Sequence, residues 1–322
     1  MAPLDTLRLQ VRPLAPEGWL GYQSAGMLLG SCFATEIGQR LQTDGFGCTI
    51  NPYGNIFNPI SLFGSLSLTA EQVEASLVGR DGIYTSFLLH SDVWGATPQA
   101  LLAQFAHQRQ RLLAALDEAS WLAITLGTAW VYTDNETGLL CTNLHKQPAA
   151  RFGRRLLSVE EILQAWQIFY DALPATARQR IIVTISPVIH GRDGLADNSL
   201  SKAVLTVAAH QMTRWPGVAY FPAQEIVRDE LRDYRFYADD MQHPSAQAAD
   251  IVYQRFLDYA MAPADAETLR NYRSLAAFAR HRPRLVDTAQ YQAKLTALEA
   301  LPVPEAAKAP LRTLLAAHLA QG

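Results

Sequence analysis

The sequence predicts an α/β protein with a mostly parallel sheet covered by helices on both faces. Two observations carry that expectation. Short apolar runs alternate with segments of helical periodicity through most of the chain. Four of those runs are followed directly by a small or polar residue, as strands are where a parallel sheet hands over to its site-forming loops.

The elements follow in order. Residues 27–30 read as a buried strand, and Phe33, Ile37 and Leu41 then recur at i, i+4, i+8 on one helical face. Gly45 and Gly47 end that helix, and residues 48–50 form a second strand running into Asn51-Pro52-Tyr53-Gly54. A long stripe of Leu101, Leu102, Phe105, Leu112, Leu113 and Leu116 predicts a helix, followed by a strand over 121–126. Residues 131–141 read as a hairpin around Asp134-Asn135-Glu136. Ser158-Val159-Glu160-Glu161 matches a capping box, with Ile162, Leu163, Trp166 and Phe169 buried behind it. Residues 181–185 form the most strand-like run. A helix with Leu200, Ala203, Val204, Val207 and Ala208 facing inward comes next, then a short strand over 218–221. Residues 244–260 are helical, with Ala248, Ile251, Val252 and Tyr259 inward. The pattern divides the chain into an α/β domain, 1–262, and an Ala-, Leu- and Arg-rich helical extension, 263–322, suited to contacts with a second copy.

The chain has 322 residues, of which 49% are hydrophobic and 18% charged, a globular composition that excludes disordered and collagen-like classes. A net charge of -3 gives no reason to expect nucleic acid or an anionic membrane as a partner. Three cysteines do not make a disulfide framework, and residues 1–16 contain no apolar run of signal-peptide length, so the expectation is a cytoplasmic protein. No spacing of His and Cys predicts a metal site, and no Gly-rich phosphate loop predicts a nucleotide; no cofactor is expected.

Ligand sites in open parallel sheets lie outside the carboxyl ends of the strands. There the chain places Ser31, Asn51 to Asn55, residues 127–130 and residues 186–190, and Asp240 and His243 precede the last helix of the domain. A serine between strand and helix is most often a cap. It becomes a nucleophile only when a base removes its proton. His243 could be that base, with Asp240, three residues earlier, fixing its tautomer. Cys32 is the other candidate nucleophile, since a helix N-terminus lowers a thiol pKa; its bland reading is a small buried hydrophobe. His190 reads either as a loop residue bonded to backbone or as a substrate-binding or acid/base group. Trp130 and Tyr132 could stack on a sugar or pack in the core.

Gly30-Ser31-Cys32-Phe33-Ala34 spells the signature of the GSCFA domain family. The chain also resembles that family in Asn51-Pro52-Tyr53-Gly54-Asn55, in Gly127-Thr128-Ala129-Trp130, in Ser186-Pro187-Val188 with His190, in Asn198 and Ser201-Lys202-Ala203, and in the run from Asp229 to Ser245. The resemblance spans about residues 25–260. The family is similar to the SGNH, or GDSL-like, hydrolases. This implies a flavodoxin-like three-layer α/β/α fold and a serine-dependent hydrolase of a small O-acyl ester, such as an acetyl group on a carbohydrate. The resemblance assigns Ser31 as nucleophile, His243 as base, Asp240 as its orienting carboxylate and the Gly54 amide as an oxyanion donor. Where the SGNH pattern has an oxyanion-hole asparagine, this chain has Ala129; Thr128, Asn51, Asn55 and His190 are the candidate substitutes. The same acyl-enzyme would serve an O-acyltransferase, and loss of a donor would also suit a non-catalytic binding protein.

Overall fold

The structure, a computed structural model, describes residues 9–12, 17–281 and 286–320. Its centre is a sheet of five parallel strands: β1 (Ala25–Gly30), β2 (Cys48–Ile50), β5 (Ala119–Leu126), β9 (Ile181–Ile185) and β10 (Val218–Phe221). They lie in the order β10-β9-β5-β1-β2. In sequence order of the central strands this is 2-1-3-4-5, the flavodoxin-like doubly wound arrangement. The chain runs outward from β1 to β2, then returns to add β5 on the other side of β1. The carboxyl ends of β1 and β5 therefore flank the switch point.

Strands buried on both faces send alternate side chains to two cores. Met27, Leu29, Leu122, Ile124 and Val183 point to one, where they meet α2 (Pro59–Gly64), α4 (Pro98–Glu118), α5 (Val159–Ala172) and α6 (Leu195–Met212). Leu28, Ala123 and Ile182 point to the other, against α1 (Cys32–Thr43) and α8 (Ala246–Ala260). Two glycines keep the strands in register. A Cβ on Gly26 would sit 2.0 Å from the indole of Trp121, its partner on β5. Gly30 has φ +129°, and a Cβ there would lie 2.1 Å from the Thr125 carbonyl oxygen, so only glycine ends β1 this close to β5.

Short elements decorate the layers. Between β2 and β5 lie α3 (Ala70–Ala75) and an antiparallel hairpin of β3 (Leu77–Arg80) and β4 (Ile83–Ser86). Between β5 and β9, the expected hairpin is a three-stranded antiparallel sheet of β6 (Trp130–Asp134), β7 (Leu140–Cys141) and β8 (Phe152–Leu156). Arg151 holds it together with a two-pronged contact to the fully buried Asp134, 2.7 and 2.9 Å, and this pairing pulls the Asp134 carboxyl far below the ordinary range. After β10, α7 (Ala223–Glu225) leads through a π-helical turn to the loop that precedes α8.

Beyond residue 262 the chain forms α9 (Ala266–Arg280), α10 (Thr288–Ala300) and α11 (Glu305–Leu319). Leu269, Tyr272, Tyr291, Leu298 and Leu315 join the same core as α1 and α8. Asp44, the C-cap of α1, accepts both prongs of Arg273 from α9 at 2.9 and 2.6 Å, and also the Tyr253 hydroxyl at 2.7 Å. Among the described residues no helix is long and apolar enough to cross a membrane.

One helix face differs from expectation. On α6 the buried side chains are Ser201, Lys202, Leu205, Ala208, Ala209 and Met212, while Leu200 and Val207 are half exposed. The apolar stripe of this helix is not its buried face, because a serine and a lysine turn inward at the sheet's carboxyl edge.

Candidate active site

Five segments meet at that edge. The turn over 239–243 is built on Asp240. Its Oδ1 accepts the backbone N–H groups of Gln242 and His243, each at 2.9 Å, and its Oδ2 accepts Nδ1–H of the His243 ring at 2.6 Å. The two amides and the ring together hold the Asp240 carboxyl down to about 2. With Nδ1 committed as donor, the lone pair of His243 sits on Nε2. Both side chains are open to solvent, 44% and 52% exposed. The turn is fastened to the loop after β9 through Gln242, whose carbonyl accepts Ile189 N–H at 2.9 Å and whose Oε1 accepts Gly191 N–H at 3.0 Å.

The group facing His243 Nε2 is the thiol of Cys32, 3.8 Å away. Ser31 occupies the N-cap of α1: its Oγ accepts Phe33 N–H at 3.3 Å, its own N–H donates to Thr125 O at 3.1 Å, and the residue is only 1% exposed. An N-cap side chain folds back over its own first turn. Cys32 takes the first helical position and projects outward from the helix N-terminus instead. The side chain the structure sets against His243 is thus Cys32, while the Ser31 hydroxyl lies within the cap. Ser31→Ala should cost about 1 kcal/mol of stability through the lost cap, which a thermal melt checks.

Burial pushes the Cys32 thiol up. The amides of Cys32 and Phe33 and the charge of Lys202 pull it down, and Glu36 adds to the rise; the net direction is upward. A thiol raised in this way rests protonated, and the nearest ring nitrogen is Nε2 of His243.

Two backbone amides at this edge are occupied. Gly54 N–H closes a turn onto Asn51 O at 2.8 Å, and the Ser31 amide is bonded to Thr125. Thr128 is locked as well: its hydroxyl contacts the Ser201 hydroxyl at 3.1 Å and accepts Trp130 N–H, and its own N–H donates to Phe57 O. Asn51, in a left-handed conformation at φ 38°, ties β1 to the loop: Oδ1 accepts Gly30 N–H at 2.8 Å, and Nδ2 donates to Thr35 and Asn55 at 2.9 Å. In the structure, the hydrogen bonds of these four residues tie the loops of the site together. Asn55 differs. Its Oδ1 accepts both Thr35 and Asn51, so its NH₂ group points away from Thr35. His190 differs too. Its Nε2 is buried without a hydrogen-bond partner, and its ring stands edge-on to Phe57. Burial, with Lys202 and His243 nearby, lowers its pKa to about 4, so the ring is neutral at neutral pH.

Sequence reasoning missed Lys202, which is buried on α6 with Nζ 2.7 Å from both Gly127 O and Ser186 O. The Ser-Lys pair within the family-like stretch was the available signal. Among the described residues, no three His, Cys, Asp or Glu side chains cluster as a metal site.

A five-strand doubly wound sheet, with a thiol, an imidazole and a carboxylate in series at its edge, defines a class: α/β proteins of flavodoxin-like topology. Within that class, the profile of the GSCFA family matches residues 26–256, and the chain belongs to this family. No curated protein matches. Among solved structures, the crystal structure of a carbohydrate esterase family 3 from Talaromyces cellulolyticus is similar with a TM-score of 0.33 and 10% identity, over 77% of this chain and 99% of that one.

Proposed function

We propose that the protein is an acyl-ester hydrolase with Cys32 as nucleophile, His243 as general base and Asp240 as orienting carboxylate. The observation that carries the reading is the linear series Cys32 Sγ, His243 Nε2, His243 Nδ1, Asp240 Oδ2, with separations of 3.8 and 2.6 Å across its two contacts. His243 takes the thiol proton as sulfur attacks the ester carbonyl. The tetrahedral intermediate collapses to a thioester, and the alcohol leaves with the proton returned by His243. Water, deprotonated by the same imidazole, releases the acid and frees the thiol. The oxyanion is held by the Cys32 amide at the start of α1, one of the donors a helix leaves unused in its first turn, and by Asn55 or His190 beside it.

The substrate is a small O-acyl ester, with acetylated carbohydrate as the leading class. The half-exposed His243 suits a shallow, solvent-open cleft of the kind a sugar ester can enter. Rapid acid quench of the protein with an activated acetyl ester should trap one acetyl group, mapped by peptide mass to Cys32 and absent after iodoacetamide treatment. An acetyl group on Ser31 would return the nucleophile to the serine, and a protein that never acylates would be a binding module. Adding a sugar acceptor separates transferase from hydrolase, since a transferase would yield acylated sugar rather than acid from the same intermediate.

A further inference from the structure

We propose that Lys202 is a positioning residue of this site: it anchors the strand ends that carry two site loops, and its ammonium supplies the positive charge that faces the Cys32 sulfur when it is ionised. The inference rests on the reading of Cys32 as nucleophile.

The geometry is specific. Lys202 is 4% exposed, in the first half of α6, where its side chain reaches the carboxyl ends of the two neighbouring central strands β5 and β9. Nζ donates to Gly127 O, directly after β5, and to Ser186 O, directly after β9, each at 2.7 Å. At this point the parallel ladder stops and its last carbonyls lose their strand partners. One ammonium therefore fixes the take-off of the loop over 127–130 and of the loop over 186–190 that carries His190. Ser201, its neighbour in sequence, repairs the same loop from the other side by accepting Ala129 N–H at 2.7 Å.

The chemistry of the partners is the second observation. Both acceptors are neutral carbonyls, whereas a buried lysine is ordinarily paired with a carboxylate. An ammonium has three N–H groups, and two are used here. Among the described residues no carboxylate pairs with it, and Cys32, which becomes an anion only during the proposed reaction, lies within its electrostatic reach. Desolvation accordingly lowers its pKa to about 7, and the one charge acting to raise it is that of Cys32. The charged surroundings are mixed. On α1, Cys32 feels both Lys202 and Glu36; on the loop after β9, His190 feels Lys202, Arg192 and His243. Among these Lys202 alone combines full burial with attraction for the thiolate. Attack by sulfur moves negative charge from the thiolate to the carbonyl oxygen, and ionisation of Cys32 draws Lys202 toward its charged form when that anion needs stabilising.

The test reads ionisation of Cys32, which a purely structural lysine would not move. Lys202→Gln keeps an N–H donor and removes the charge; Lys202→Met removes both. The rate of Cys32 alkylation by iodoacetamide, followed across pH, should show the thiol midpoint raised by about one unit in Lys202→Gln, a roughly tenfold smaller thiolate fraction below the midpoint. Ester turnover should fall through kcat, with KM nearly unchanged. A folded Lys202→Gln with the wild-type alkylation profile overturns the proposal. If neither variant folds, the wild-type chain decides: its Lys202 ¹⁵Nζ resonance is titrated after blocking Cys32 with iodoacetate, which leaves a negative group, or with iodoacetamide, which leaves a neutral one. A higher Lys202 midpoint in the carboxymethyl protein supports the coupling, and equal midpoints overturn it. Neither readout needs turnover. An acetyl group trapped on Ser31 would therefore sink the functional reading while these measurements still judge the link between Lys202 and Cys32.

Discussion

Cys32→Ala is expected to reduce hydrolysis of a small aryl ester on the order of 10⁴-fold or more, to near the uncatalysed background. Among the described residues the Cys32 thiol is the nucleophilic group in contact with His243 Nε2, and the neighbouring hydroxyl is capped onto Phe33 N–H inside the first turn of α1. Alanine at this first helical position keeps helix propensity and leaves the cap, the Asn51 ties and the Gly30 turn untouched. The melting temperature should stay within a few degrees of wild type while the rate collapses. Steady-state kinetics paired with a thermal melt checks this. Retention of even a tenth of the wild-type rate would remove the thiol from the mechanism.

The second large effect is expected from Asp240→Asn, a loss of about 10²- to 10⁴-fold in kcat with little change in stability. Asparagine Oδ1 can still accept the amides of Gln242 and His243, so the turn persists. Its NH₂ group would then face His243 Nδ1 as a donor. The ring responds by moving its proton to Nε2, and the lone pair no longer faces Cys32. The sign of the pH dependence follows from the depressed Asp240 pKa. The carboxylate is ionised at every pH above about 2, so it holds the required tautomer throughout the working range and lets go only as pH falls through that value. The rate loss in the variant should therefore be uniform from mildly acidic to alkaline pH. A ¹⁵N spectrum of the imidazole gives the tautomer directly, and a variant that keeps the proton on Nδ1 would argue against this account.

Several features of the site were readable before any coordinates. Asp240 and His243 stand three residues apart, so a single local turn brings carboxylate and ring together whatever the rest of the fold does. The central strands were equally legible, because burial on both faces leaves nearly uninterrupted apolar runs. Which of Ser31 and Cys32 lies against His243 was not. It depends on which of two adjacent residues is the cap and which is the first helical residue, a matter of one backbone dihedral pair that residue types alone do not decide. The inward face of α6 failed for a related reason. Leu200 and Val207 look like core residues, but the sheet edge requires polar groups to satisfy the carbonyls of Gly127 and Ser186, and that local need outweighed the apolar stripe. Strands β3 and β8 escaped notice because their charged residues, Arg80, Arg154 and Arg155, sit in short segments that lack an apolar run.

The grip of Arg273 and Tyr253 on Asp44 has a practical consequence. Helix α1 presents its chemistry at one end and is moored at the other by residues more than two hundred positions downstream. A shortened chain that stops after Ala262 would thus lose more than a lateral ornament: it would unclasp the bidentate grip on the tail of the very rod whose tip carries Cys32. Protein engineers trimming this sequence to its family-matched segment should count the distal helices among the supports of that rod.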